Sequence, residues 1–415
     1  VIERLTILGG SSVYTPEFVL SAVSHNLNVQ EIVLFGREGP KLHIVGQFCQ
    51  RMLDKTGFPA TITCSTDVTG AVKGARYIVN GIRIGGLKAR TRDEKVPVRF
   101  GMVGDESLGA GGFANSMRTL PVVFHLAEQI ERVNPDAIFI NLTNPMGVIV
   151  EALNRYTKLN VVGTCDLPGT CVTKLAEVLN CAPSDLSVDY IGLNHFGWIQ
   201  DVKVDGRSCM PCVLDRLERY QEDGFDLGLI ELFRMIPVKT VSLHYRQDDV
   251  LKKQRTISRC RSETLHEAEE QILKLYQDEH LAEIPDLTRE RNAVWYDQTI
   301  VPLIESLESK NERTHILCVR NNNSIRDLPD DASVEIPVSV SKRGLRQHAV
   351  GSCPRFLKGI FISIKESDRL AIEAARHKSY ECALQSLTIN PLVPSIQAAK
   401  KFLDYLIREE NLELH

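Results

Sequence analysis

Much of what this 415-residue sequence is not can be read from what it lacks. No apolar stretch approaches the roughly 20 residues a membrane-spanning helix needs, and VIERLTILGG at the start is a short strand-like segment running into glycines, not a secretory leader. The expectation is a soluble, cytoplasmic protein with no membrane partner. No dense cluster of lysine and arginine is present and the formal net charge is only −4. A small-molecule ligand is therefore favoured over nucleic acid or an anionic membrane. The eleven cysteines are odd in number and follow no framework spacing, which fits free thiols in a reducing compartment better than a disulfide scaffold. There is no Gly/Ser- or Pro-rich linker, no repeat and no low-complexity tract.

What is present, 43% apolar and 25% charged residues, is the composition of an ordinary globular protein large enough for two domains. LTIL (5–8), EIVLF (31–35), ARYIVN (75–80), DAIFIN (136–141) and NVVGT (160–164) are short, β-branched apolar runs that read as buried strands. Between them, 41–57 and 118–133 carry apolar residues at helical spacing. Alternation of this kind predicts an α/β, Rossmann-like, doubly wound parallel sheet over residues 1–190. From 191 to 415 the rhythm changes. Short strands such as SVDYIGL and HILCV mix with longer helices at 264–281 and 368–387, predicting a second, α+β domain.

Gly9, Gly10, Ser11 and Ser12 directly follow the first strand and precede a helix, where a dinucleotide pyrophosphate meets backbone N–H groups. The spacing is not G-x-G-x-x-G, and two glycines after a strand also mark a plain tight turn. At the end of the second strand, where a carboxylate would accept the ribose hydroxyls of NAD, stand Gly36 and Arg37. A guanidinium there suits a 2′-phosphate, so NADP is an alternative to NAD; equally, Arg37 reads as a solvated loop residue.

In GTCDLPGT (163–170), Cys165 and Asp166 are adjacent. A nucleophilic cysteine needs a base, and none is nearby in sequence. Cys165 with His195 of NHFGW would make an open site for a divalent metal, while a buried thiol and a structural histidine are the plainer reading. SCMPC (208–212) has no second pair to complete a zinc site and reads as structural, and the charged helix expected near 287–293 reads as a solvated face.

GGSSVYTPE, IRIGGLKARTRDE, VGDESLGAGG, NLTNPMG, CDLPGT and GLNHFGW occur in that order, followed by CVRNNNSIRDLPDDASVEIPVSV and LTINPLV. Together they resemble the NAD- and metal-dependent glycosidases of glycoside hydrolase family 4 over nearly the whole chain. The resemblance implies a fold shared with lactate and malate dehydrogenases and a homodimer or homotetramer. It also implies hydrolysis of a 6-phosphorylated glucoside: oxidation at C3 by the nicotinamide, loss of the C2 proton, elimination, addition of water and re-reduction. By the same resemblance Cys165 and His195 hold the metal, typically manganese, and Asp166 protonates the leaving group, as in the α-type enzymes; β-type relatives have asparagine there. Asn144 contacts substrate hydroxyls, and Arg90 and Arg261 recognise phosphate. Glu106 and Gly112 fall in a segment that reads GDE where relatives have GQE. Relatives carry a tyrosine as the C2 base; this chain has Thr240, whose hydroxyl cannot take that proton unaided, leaving His244 or Tyr245 as substitutes. Two other readings stand beside this one: a 2-hydroxy-acid-type NAD(P) dehydrogenase, and a catalytically weakened sugar- or nucleotide-binding relative.

Overall fold

The computed structural model describes residues 1–216, 225–291 and 293–415. The apolar runs of the first half become β1 (Ile2–Leu8), β2 (Val29–Phe35), β4 (Tyr77–Asn80), β5 (Ile138–Asn141) and β6 (Asn160–Gly163); β3 (Thr61–Ser65), whose four threonine, cysteine and serine positions are all half-exposed or more, lacked the apolar signal. These six pair in parallel in the order β3-β2-β1-β4-β5-β6, the doubly wound dinucleotide-binding order. Their side chains alternate between two cores. Ile7, Val79, Ile140 and Val162 pack on the side of helices Thr15–Ser24 and Pro40–Thr56, through Phe18, Val45 and Phe48. Leu8, Ile78, Phe139 and Val161 face helices Gly109–Val133 and Met146–Tyr156, through Leu120, Ile130 and Ile149. With both faces covered, strands need apolar residues at every position, which is why they were recognisable as continuous runs.

The second half adds β7 (Leu186–Leu193), β8 (Phe196–Val204), β9 (Arg207–Ser208), β10 (Ile236–Pro237), β11 (Arg313–Arg320), β12 (Ser333–Ser341) and β13 (Gly344–Gln347). These pairings are antiparallel, and the sheet continues from β6 through β11, β12, β7 and β8 to β10, with β13 on β12 and β9 on β8. The seam is narrow: β11 meets β6 at Cys318 opposite Gly163, and β12 meets β7 at Glu335 opposite Gly192. All nine residues of β12 are buried.

Three helices differ from the expected spans. The one expected at 118–133 begins at Gly109, because the small residues of GAGGFANS are buried and lack a polar face to mark a start. The one expected at 264–281 runs Arg261–Leu275. The stretch 368–387 is two helices, Arg355–His377 and Tyr380–Ile389; Lys378 turns left-handed at φ 52° and Ser379 Oγ accepts the N–H of Cys382 at 3.2 Å, so a new cap interrupts an unbroken apolar spacing.

Candidate active site

The carboxyl ends of the parallel strands form one edge, where doubly wound sheets place their ligands. Gly9 and Gly10 follow β1, Gly36 and Arg37 follow β2, Asn144 lies three residues after β5, and Cys165 and Asp166 come just after β6. Gly9 is left-handed at φ 89°, and a Cβ there would stand 2.8 Å from the Gly81 carbonyl oxygen; a Cβ on Gly10 would stand 2.7 Å from Leu34 Cα. Both glycines are thus required by the approach of the β1 turn to its neighbours. Ser12 Oγ accepts the Tyr14 N–H at 3.2 Å, and helix Thr15–Ser24 starts at once. A turn of two glycines and two serines leading into a helix N-terminus fits the phosphates of a dinucleotide. Arg37 is exposed beside Lys41, whose ammonium is lowered by burial and then by Arg37, and Lys41 pairs with Glu269.

Cys165 caps helix Asp166–Leu179, and its thiol lies 3.8 Å from Asp166 Oδ1. Burial above all, then the charges of Asp166 and Glu335, raise that thiol well above its ordinary pKa. Left to itself it stays protonated, and a bound cation is what would favour the thiolate. His195 occupies the two-residue turn between β7 and β8, where Leu193 pairs with Phe196, and it is held left-handed at φ 64°. Its Nδ1 is buried and has no hydrogen-bond partner among the described residues. An unpartnered imidazole nitrogen and a half-buried thiol suit a transition metal. Among the described residues no group of three or more His, Cys, Asp or Glu side chains is placed to hold a metal ion, so Cys165 and His195 alone would need further ligands from substrate or solvent.

Carboxyls surround this pair. Glu335 of β12 accepts from Tyr190 Oη at 2.5 Å and from Asn194 Nδ2 at 3.2 Å, and burial outweighs those bonds to push it up to about 7. Asp105, the residue that differs from the GQE pattern, is raised by burial against the pull of nearby His195; its Oδ1 accepts the N–H groups of Ser107 and Leu108 at 2.7 and 3.1 Å. Neither was singled out as a site residue, since only the fold brings β12 and the segment before helix Gly109–Val133 to the histidine turn.

A second cluster is cationic. Arg90 gives Nε to Glu94 Oε1 at 2.6 Å and Nη1 to Glu106 Oε1 at 3.1 Å, and Arg83 also pairs with Glu106. Burial works against the Glu106 carboxylate, yet Arg83 and Arg90 hold it down at about 2. Asn115 Nδ2 donates to the carbonyls of both Glu106 and Asn144 at 3.0 Å, tying the arginine cluster to Asn144. Gly112 lies where a Cβ would meet the Ser107 carbonyl at 2.6 Å. Arg261 is exposed and donates to the carbonyl of Glu290.

In the stretch 287–293, expected to be a solvated face, Arg289 and Glu290 are exposed but Arg291 departs from that expectation. Arg291 is half-buried, its Cζ 4.9 Å from the Tyr14 ring centroid and 4.7 Å from that of Trp295; residue 292 lies outside the described residues. A charge-rich run gives no sign that aromatic residues distant in sequence will cover one of its members.

Thr240 donates its hydroxyl to the carbonyl of His195 at 2.7 Å. In this chain the position braces the histidine turn. His244 is buried with both ring nitrogens unpartnered among the described residues, and burial lowers it to about 4. The Tyr245 ring packs among Phe196, Trp198 and Phe233, and burial raises its hydroxyl. All eleven cysteines are free, Cys209 and Cys212 of SCMPC included.

The model of the family 4 glycosyl hydrolases matches residues 4–181, and that of the family's C-terminal domain matches 190–393. The chain is 32% identical to a probable 6-phospho-beta-glucosidase of Bacillus subtilis, over 99% of this chain and 96% of that one. It superposes with a TM-score of 0.92, at 29% identity and covering 100% of both chains, on the 6-phospho-beta glucosidase of Thermotoga maritima solved with manganese, NAD+ and glucose-6-phosphate. With a TM-score of 0.91 and 28% identity, again over 100% of both chains, it resembles a 6-phospho-alpha-glucosidase from gut microorganisms solved with NAD and glucose-6-phosphate.

Proposed function

Since the chain belongs to the family 4 glycosyl hydrolases, we propose that it hydrolyses 6-phosphorylated glucosides through transient oxidation of the sugar, using NAD and a divalent metal such as manganese. The observation that carries this reading is that the Cys165 thiol, just past β6, lies beside Asn194 of the same turn that presents the unpartnered imidazole of His195, while Gly9, Gly10, Ser11 and Ser12 turn into a helix after β1. The nicotinamide supplies a reversible hydride acceptor for the sugar's C3, and a metal held by Cys165 and His195 supplies Lewis acidity toward the C2 and C3 oxygens. The chain's own residues do the rest. Asn144, positioned through Asn115, and Arg90, anchored by Glu94 and Glu106, orient the sugar phosphate, with Arg261 at the exposed rim. Asp166, next to Cys165 at the helix start, protonates the departing oxygen. Residues 1–190 serve as the cofactor-binding domain and 191–415 as the substrate domain. The eleven free thiols support a cytoplasmic setting, and the family resemblance supports a homodimer or homotetramer.

Thr240 favours a second reading, a weakened relative that binds sugar with little turnover, because its hydroxyl is already a donor to His195. The deciding experiment follows nitrophenol release from 4-nitrophenyl 6-phospho-α- and 6-phospho-β-glucosides with and without NAD, NADP and manganese. Release that needs both cofactor and metal supports the oxidative route, and the preferred anomer tests the role given to Asp166. Equal release without them defeats it. Steady accumulation of NADH would instead identify a dehydrogenase, and tight sugar-phosphate binding without turnover the weakened relative.

A further inference from the structure

We propose that Arg291, clamped between the rings of Tyr14 and Trp295, is a phosphate-binding residue that completes a three-arginine cradle with Arg83 and Arg90. For the identity of the ligand, a sugar phosphate, the inference rests on the function proposed above. The arrangement of charge argues for an anion. Glu106 is shared by Arg83 and Arg90, and Glu94 takes the other edge of Arg90. Arg291 forms no ion pair among the described residues, and a half-buried cation beside two others is stable only if something neutralises it. Burial, then the charges of Arg83 and Arg90, bring its pKa down to about 10. The remaining carboxyl facing it, Glu17, accepts the Ala293 N–H at 3.0 Å and is pushed by burial up to about 7, so much of it is protonated at neutral pH.

The aromatic clamp supports the same conclusion. Rings 4.9 and 4.7 Å from Cζ fix the guanidinium while leaving N–H groups at its edge for a bidentate acceptor. A second, independent feature lies on the same ring that clamps Arg291: the Tyr14 hydroxyl is buried and has no hydrogen-bond partner among the described residues. Arg261, by donating to the Glu290 carbonyl, braces the residue immediately before Arg291. The ligand chemistry is a phosphate group, and two sources exist. Arg83 and Arg90 connect the cradle to the sugar cluster, which favours the substrate's phosphate monoester; Tyr14 follows the glycine turn, which would favour the cofactor's phosphates.

The test compares wild type, Arg291→Gln and Arg291→Lys in the presence of manganese. It measures KM for a 4-nitrophenyl 6-phosphoglucoside, calorimetric Kd for glucose 6-phosphate and for glucose, and Kd for NAD, with thermal unfolding to verify the fold. For Arg291→Gln the expected result is a rise of about 10- to 100-fold in KM and in Kd for glucose 6-phosphate, with glucose and NAD unaffected. Arg291→Lys should fall between, since it keeps the charge and loses the fork. A comparable rise for NAD alone would uphold the phosphate role and assign it to the cofactor. Unchanged affinity for both ligands in a folded Arg291→Gln protein, or wild type that binds neither, overturns the proposal. Failure of wild type to turn over any phosphoglucoside while still binding glucose 6-phosphate would defeat the proposed function and leave the Arg291 comparison to be read from binding.

Discussion

The parallel and the antiparallel halves of the sheet contribute to the site in different ways. The parallel half offers the ends of several strands on one edge, so its residues, Gly9, Gly10, Asn144, Cys165 and Asp166, are delivered by topology. The antiparallel half delivers His195 by one hairpin turn, in a backbone conformation that costs a non-glycine residue about 1 kcal/mol and that needs outside support. Thr240 and the Glu335–Asn194 bond provide it. A site made this way is rigid on one side and conditional on the other. Apart from His195 itself, changes on the antiparallel side should therefore act through geometry more than through lost chemistry.

The largest effect expected from breaking this comparison is at His195 itself. His195→Ala should abolish manganese binding, measured by electron paramagnetic resonance, and lower turnover at least about 100-fold. Retention of both would remove His195 from the metal shell and leave the turn a purely structural feature. Next is the brace. Thr240→Val deletes one hydrogen bond, worth about 1 kcal/mol, and is expected to weaken manganese affinity several-fold while NAD affinity stays constant; Thr240→Tyr tests whether a phenol in that position raises turnover. An equal loss of NAD affinity in Thr240→Val would show that the two sides are not separable.

The smallest effect sharpens the comparison through pH. In the parallel half Glu17 and Asp93 are both pushed up to about 7, by burial in each case and, for Asp93, despite its pairing with Arg118 at 2.5 Å. Raised carboxyls stabilise the fold at low pH, and that contribution is lost as pH rises toward and through 7. In the antiparallel half His244 and His315 are lowered to about 4 by burial. Depressed histidines act in the opposite sense: their contribution is present above the usual histidine pKa and is lost as pH falls from there toward 4. His244→Phe, placing a ring in the space beside Phe196 where the imidazole lies 4.4 Å away, should gain thermal stability relative to wild type at about pH 5 compared with about pH 7.5. An identical difference at both would mean that His244 does not titrate in this range.

The same contrast explains what the sequence made legible. Strands buried on both faces are continuous apolar runs, so β1, β2, β4, β5 and β6 were recognisable, as were the residues that follow them. β3 was not, because TITCS is polar and half-exposed. Cys165 and Asp166 could be picked out as neighbours, but that Glu335 lies close to them depends on a seam of single backbone pairs that no local pattern encodes. Thr240 could be identified as the wrong residue for a base; only the structure supplies its partner, 45 positions away. Arg291 was masked by its charged neighbours, since charge density in sequence says nothing of which side chain turns inward.

The chain has two tryptophans, and they report on different surroundings. Trp198 is fully buried on β8, ringed by Phe196, Phe233, Tyr245 and Phe356. Trp295 carries the Arg291 guanidinium on its face. An indole is sensitive to a cation held against it, so a ligand that draws Arg291 away would alter the emission of Trp295 and leave that of Trp198 as an internal reference. The clamp that orients the arginine thereby also serves as an intrinsic optical probe of whether its anion has arrived.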